Sequence, residues 1–261
     1  MGFSATWLAL REPADHAARD PALLSAAARA AGASPVIVDM GCGTGSTIRA
    51  FDGTLTQPAA WRLLDNDPAL LDQAAHGAGG TVSTHQFDLR DLDLLPLQGA
   101  SLVTASALLD LCSYDWVAGL ADRLARHGLP FYAALNYDGV MQWSPADAAD
   151  ADVTCAFNRH QRGDKGFGPA LGPDAADAIA SVFAAAGFQV AQAQSPWRLG
   201  PAQAHLQRDL LAGIATAASE AGEGAAKDWA EARIAMIAHA QCHIGHRDLL
   251  ALPPGSERSA A

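Results

Sequence analysis

Residues 36–46 read Val36-Ile37-Val38-Asp39-Met40-Gly41-Cys42-Gly43-Thr44-Gly45-Ser46, and this stretch decides the fold. A β-branched run enters an acid, and glycines then recur at alternate positions. The pattern predicts a buried strand that breaks into a tight turn and opens a helix. Glycine tolerates positive φ and has no Cβ, so its backbone presses close to a ligand. The free N–H groups and positive end of the following helix would face that ligand. A nucleotide-like guest fits such a turn.

The spacing sorts the candidate guests. A dinucleotide loop places its third glycine three positions after the second, where this chain has Ser46. A phosphate loop needs a lysine before its Ser or Thr, and here Gly45-Ser46-Thr47 has none. Asp39, two residues before the first glycine, would repel a pyrophosphate but suits a ligand carrying an ammonium and a sulfonium. The stretch resembles motif I of the class I S-adenosylmethionine-dependent methyltransferases, an acid followed by x-G-x-G-x-G.

The resemblance continues in order. Trp61 to Pro68 looks like a second strand ending in an acid about twenty residues beyond the loop, where a carboxylate accepts ribose hydroxyls. It implies that Asp65, with Asn66, holds the ribose. By the same resemblance Asp88, with Leu89, meets the adenine, and Ser106 and Ala107 line the methionine end. Asp39, Gly41, Cys42, Gly43 and Gly45 complete the implied cofactor set. The cofactor is then S-adenosyl-L-methionine, leaving as S-adenosyl-L-homocysteine. A Rossmann-like fold that binds NAD, or binds nothing, is the alternative.

Strand and helix signals alternate from Val36 onward, which predicts parallel βαβ units. Strands are expected near 36–40, 61–65, 82–87, 101–106 and 130–136, and helices near 46–51, 68–75 and 114–127. A helix over Pro173 to Ala186 ends at Gly187, a sixth strand follows over Phe188 to Ser195, and His243 to Leu252 reads as a seventh, antiparallel one. The resemblance implies an α/β fold, with a Rossmann-like, seven-stranded, mostly parallel sheet in the order 3-2-1-4-5-7-6 and helices on both faces. One methyltransferase domain is expected over 1–255, with a cofactor-binding core at 36–136 and a tail at 256–261. Residues 1–34 read as a helical extension, because Asp20-Pro21 is an N-cap followed by proline. That extension is either a lid over the cofactor or a packing or dimer helix. Two stretches exceed the minimal pattern: a connection at 137–172, read as a substrate loop, and a helical insertion at 200–240. Long connections in compact domains are usually functional or disordered.

The bulk numbers exclude several classes. A net charge of −11 over 261 residues argues against a surface built for phosphate backbones or anionic lipid. Four scattered cysteines show neither disulfide-framework nor metal-ligand spacing, which fits reduced thiols in the cytoplasm. No metal site is expected, since His243 and His246 lack a third partner. No apolar run reaches membrane-spanning length, and acids follow the short apolar start at once. A monomer or homodimer with a small-molecule substrate, no nucleic acid and no membrane is the expectation.

The acceptor side is less legible, because the cofactor carries the reactive methyl and the protein mainly positions the nucleophile. Between Asn158 and Pro169 three cations and a histidine fall among glycines and a proline. Arg159, Arg162 or Lys165 would receive a substrate carboxylate or phosphate, and His160 would orient the acceptor or take its proton. The alternative is a solvated loop whose charges pair with Asp164, Asp150 or Asp152. Tyr137 and Asp138 close the fifth strand as a candidate acceptor contact and base, or as plain turn residues before Gly139. Asp110 and Tyr114 would line the same mouth. The expected activity is methyl transfer to a small metabolite, with protein or RNA methylation, or a silent S-adenosylmethionine-binding regulator, as alternatives.

Overall fold

The computed structural model describes residues 3–76 and 81–254. The tail expected at 256–261 lies outside the described residues. Helix α1 (Ala5–Ala18) starts where Ser4 accepts the Trp7 N–H, and α2 (Pro21–Ala30) where Asp20 accepts the Leu23 N–H at 2.8 Å. The alternating part follows as β1 (Val36–Met40), α3 (Ser46–Ala50), β2 (Ala60–Asp65), α4 (Pro68–His76) and β3 (Thr81–Gln86). It continues through β4 (Leu102–Ser106), α5 (Tyr114–His127), β5 (Phe131–Ser144), α6 (Asp150–Gln161) and α7 (Ala175–Ala185). The last part is β6 (Gln189–Gln194), β7 (Trp197–Leu199), α8 (Ala204–Glu220), α9 (Ala226–Met236) and β8 (Gln241–Leu252).

The sheet runs β3-β2-β1-β4-β5-β8-β6, with β7 also paired to β8. This is the expected order, with β8 in the seventh strand's place and the short β7 added. β1 to β5 are parallel, and β8 is antiparallel to β5, β6 and β7. Asp39 sits opposite Leu63 on one side and Thr104 on the other, so the ends of β1, β2 and β4 open together.

The central strands are apolar because both their faces are covered. Met40, Leu64, Val103 and Phe131 pack with Val117, Leu120 and Phe183 of α5 and α7. Ile37, Leu63, Leu102 and Tyr132 pack with Leu24, Ala27 and Phe51 on the other face. Each buried side chain of this size contributes roughly 1.5–3 kcal/mol. A third cluster, with Trp143, Trp197, Leu211, Ile214 and Trp229, joins the α8–α9 insertion to the far end of β5.

The insertion is stapled as well as packed. Arg233 of α9 is 1% exposed, and its guanidinium reaches both oxygens of Asp150 on α6 and the Pro145 carbonyl. The Trp229 indole N–H donates to the same carboxylate at 2.8 Å.

The 137–172 stretch corrects the loop expectation. β5 continues to Ser144 and α6 covers Asp150–Gln161, so Asn158 to Gln161 form the last turn of a helix. Asp138-Gly139 does not end the strand. Gly139, at φ 85°, sits in a register break between Tyr137 and Met141, after which pairing with β8 resumes. The long β8 partner and the buried Met141 and Trp143 override the local turn chemistry.

A second irregularity lies just upstream. Leu135 adopts φ 57° and donates its N–H to Asp248 Oδ1 at 2.9 Å. The fully buried Asp248 also accepts the Tyr132 hydroxyl and the Asp20 N–H, each at 3.0 Å. One carboxylate thus ties α2, β5 and β8.

Candidate active site

β1 delivers the chain into the glycine turn, where Gly41, Gly43 and Gly45 all adopt positive φ. The positive φ at Gly43 is what calls for glycine there, and a Cβ would also lie 3.0 Å from the Leu8 side chain of α1. The Cys42 N–H donates to the Leu64 carbonyl and the Gly43 N–H to Asp65 Oδ2, each lashing the turn to β2 at 3.0 and 2.9 Å. The helix that follows, α3, has only five residues. Its dipole end is therefore a weaker feature than the sequence implies, and Gly43 spends its N–H within the protein.

A cavity of about 320 Å³ opens at these strand ends. Gly41, Cys42, Gly43, Asp65, Asn66, Asp88, Leu89, Ser106 and Ala107 of the expected cofactor set line it. Asp65 presents a carboxylate already positioned by the N–H groups of Gly43 and Asp67. Asp88 lines the cavity just beyond the end of β3, the strand beside β2, and its partner Arg90 holds its carboxyl down to about 2. Phe87, Leu89, Leu70 and Leu108 supply apolar wall to the same cavity.

Two members of the set do not line the cavity. Asp39 is fully buried below the turn, where Oδ1 accepts the Thr104 hydroxyl at 2.8 Å. Burial pushes its carboxyl up to about 7, against the opposing pull of Thr104 and Arg19. It is part of the floor rather than the wall. Gly45 packs on Ala74 and Arg49, and its role is to admit α4.

The acceptor-side residues separate more sharply. Lys165 lines the cavity with Gly166 and Phe167. Arg159 instead donates to the Ala221 carbonyl, and His160 meets Glu220, both at the end of α8. Arg162 holds Asp174 through two contacts of 2.9 and 3.1 Å. Helical geometry at 158–161 turns Arg159 and His160 toward the insertion, while Lys165 Nζ reaches back to the His160 ring at 3.3 Å. Tyr137 donates to Asn158 Oδ1 at 2.7 Å, and burial raises its hydroxyl far above its ordinary range. Asp138 lies over Gly245, accepts the Val140 N–H and faces Arg247. Tyr114 is 55% exposed and outside the cavity. Asp110 lies one residue before the lining Leu111, in the turn after β4.

The face of α1 was not legible as part of the site. Leu8, Arg11 and Asp15, spaced three and four apart, present one helix face to the cavity. Glu12 pairs with Arg49 through contacts of 2.5 and 2.7 Å, and His16 meets the Ser46 carbonyl at 3.1 Å. These contacts seat α1 against the glycine turn and α3. Arg11 grips Asp15 with its fork and lies 5.0 Å from the Trp197 ring, whose N–H also donates to Asp15. His246 lies between Trp197 and Tyr137, and burial followed by the Arg11 charge lowers it to about 3.

Among the described residues no three His, Cys, Asp or Glu side chains group as a metal site. No helix among them is long and apolar enough to cross a membrane.

No family model and no curated protein matches the chain. Solved structures do. A cyclopropane-fatty-acyl-phospholipid synthase-like protein from Lactobacillus casei superposes with a TM-score of 0.54 at 14% identity, over 97% of this chain and 95% of that one. The cyclopropane synthase MmaA2 from Mycobacterium tuberculosis gives 0.52 at 12% identity, over 95% and 94%. YcgJ from Bacillus subtilis gives 0.52 at 15%, over 89% and 98%. The chain has the class I methyltransferase fold, elaborated by α1, by β7 and by the α8–α9 insertion.

Proposed function

We propose that this protein is an S-adenosyl-L-methionine-dependent methyltransferase acting on a small-molecule acceptor. The observation that carries the reading is Asp65, at the end of β2, with one oxygen on the Gly43 N–H and its carboxylate facing the cavity. Such an acid beside a glycine turn accepts paired ribose hydroxyls. Asp88 and the apolar Phe87, Leu89 and Leu70 line the same cavity and would receive the adenine, and Ser106 and Ala107 would meet the methionine end. Arg90 must swing from Asp88 if that acid is to meet an adenine amino group.

S-Adenosylmethionine supplies an electrophilic methyl on a sulfonium, and the chain's own task is to seat, orient and desolvate the acceptor. The walls left for it are Leu8 and Arg11 of α1, Leu108 and Leu111 after β4, and Lys165 to Phe167. These are close walls from three segments, which suit a small guest better than a protein or RNA strand. The net charge of −11 weighs in the same direction. Four free cysteines, three of them buried, suit a reducing compartment such as the cytoplasm.

The test is calorimetry and thermal shift with S-adenosylhomocysteine, NAD and NADP. Stabilisation by S-adenosylhomocysteine alone is expected. Stabilisation by NAD alone would replace the methyl donor with a nicotinamide.

A further inference from the structure

The charged side chains that line the cavity are matched except for one cation. Arg11 grips Asp15 through contacts of 2.8 and 3.1 Å, and Arg90 holds Asp88. Asp65 accepts the Gly43 and Asp67 N–H groups, and Asp67 accepts the Ala69 N–H at the start of α4. Lys165 lines the cavity too, yet among the described residues it makes no ion pair. Its Nζ meets the His160 ring and the His160 carbonyl, each at 3.3 Å.

In the sequence Asp164 stands beside Lys165 and reads as its counter-ion. The fold engages that acid elsewhere. Asp164 Oδ1 accepts the N–H groups of Gly166 and Gly168 at 2.6 and 3.0 Å. Those glycines take φ of 110° and 85°, and a bridge from Asp164 to Pro169 closes the loop. Phe167 packs edge-on against Trp116 of α5 at 5.5 Å, and Ala170 pairs with Ser113. The other ring nitrogen of His160 is 3.0 Å from Glu220, so the ring is held with Nδ1 toward the lysine. The ammonium is thus carried on a fixed loop, and part of the entropy of ordering its side chain is lost before any guest arrives.

We propose that Lys165 binds the carboxylate of the methyl acceptor, and that the acceptor is a small carboxylic acid with an apolar or aromatic body. The inference rests on the methyltransferase reading above. Leu8, Leu108, Leu111 and Phe167 line the same cavity and receive the apolar body. Charge balance selects a monoanion. Once Arg11–Asp15 and Arg90–Asp88 are set aside, Asp65 and Asp67 stand against Lys165 alone, so the lining is already negative by one. A carboxylate at Lys165 is compensated, whereas a phosphate dianion brings a second charge that no lining cation takes up. Both lining arginines have their forks on acids, so neither offers the bidentate contact that phosphate favours.

The test is calorimetry on the full chain saturated with S-adenosylhomocysteine, titrated with 4-hydroxybenzoate, 3-phenylpropionate, phenyl phosphate and benzyl alcohol. At least one of the two carboxylates should bind about tenfold or more tightly than the phosphate and the alcohol, the worth of a charge-assisted contact. Lys165→Met should weaken that carboxylate by about tenfold or more, and Lys165→Arg should retain most of the affinity. Affinity for S-adenosylhomocysteine should stay at the wild-type value in both variants. Should Lys165→Met lose its thermal transition, the wild-type ranking of carboxylate over phosphate and alcohol decides. Neither carboxylate bound, an alcohol or phosphate bound as tightly, or a Lys165→Met affinity within about twofold of wild type overturns the proposal.

S-Adenosylmethionine carries a carboxylate of its own, and methylthioadenosine, which lacks it, separates the two sources. If Lys165→Met loses affinity for S-adenosylhomocysteine but not for methylthioadenosine, the lysine holds the donor and the proposal is overturned. Failure of the wild-type chain to bind S-adenosylhomocysteine overturns the donor reading beneath it.

Discussion

Asp65 accepts the Gly43 N–H at 2.9 Å, so the acid proposed to hold the ribose also fixes the turn beneath it. Asp65→Ala removes both functions at once. S-Adenosylhomocysteine should bind about ten- to a hundredfold more weakly, the range of a lost charge-assisted hydrogen bond. Calorimetry measures this directly, and unchanged affinity would remove Asp65 from the site.

Asp39 and Thr104 make a stability prediction with a definite sign. Burial raises the Asp39 carboxyl from 3.8 to about 7, so the folded state holds its proton more tightly than the unfolded one. This contribution is fully present below about pH 4 and is lost as pH rises to about 7. Asp39→Asn keeps the Thr104 contact and removes the ionisation. Its Tm should exceed the wild-type value at pH 8, and the difference should shrink toward pH 5. A constant difference across that range would refute the assignment.

Glu12 behaves in the opposite sense. Its hydrogen bond to Arg49 is the main cause that lowers its carboxyl below 4.5. That stability is present above the ordinary value and fades as pH falls through the lowered one. Glu12→Gln should therefore cost stability at pH 7 and progressively less as pH falls below 4.5. It should also speed release of S-adenosylhomocysteine in stopped flow, because the pair joins α1 to α3.

Arg233 and Arg162 form a matched contrast. Arg233 is sealed, and Arg233→Ala leaves Asp150 without its cation, so urea unfolding should show a loss of about 3–5 kcal/mol. Arg162 and Asp174 are both half exposed or more. Arg162→Ala should change stability by less than about 1 kcal/mol. KM should stay at the wild-type value as well, since the guanidinium faces Asp174 and not the cavity.

The strands and the glycine turn that frame the proposed donor side were legible because their signals are local. The β-branched entry, the alternating glycines and the acids at 65 and 88 each lie within a few residues of the structure they produce. The rest depended on partners far away in sequence. Asp138-Gly139 has the chemistry of a turn, and only pairing with β8 keeps it in a strand. Arg159 and His160 read as free charges because Ala221 and Glu220 are about sixty residues downstream. Arg11 and Asp15 gave no sign of facing the glycine turn, although their i, i+4 spacing marked a paired helix face. Asp110 was singled out only through the resemblance, and its lack of a partner is visible only in three dimensions.

Among the described residues β8 follows every other strand in the sequence, yet it lies between β5 and β6 and also pairs with β7. During synthesis those three strands must wait for it with hydrogen-bonding edges unfilled. Asp248, which α2 and the β5 irregularity both require, arrives with the same strand. Placing β8 is thus a long-range insertion, the kind of folding step that is slow and leaves edges open to other chains. A nascent or truncated chain stopped before residue 241 should be an aggregating species and a chaperone client, whatever the strength of its cofactor site.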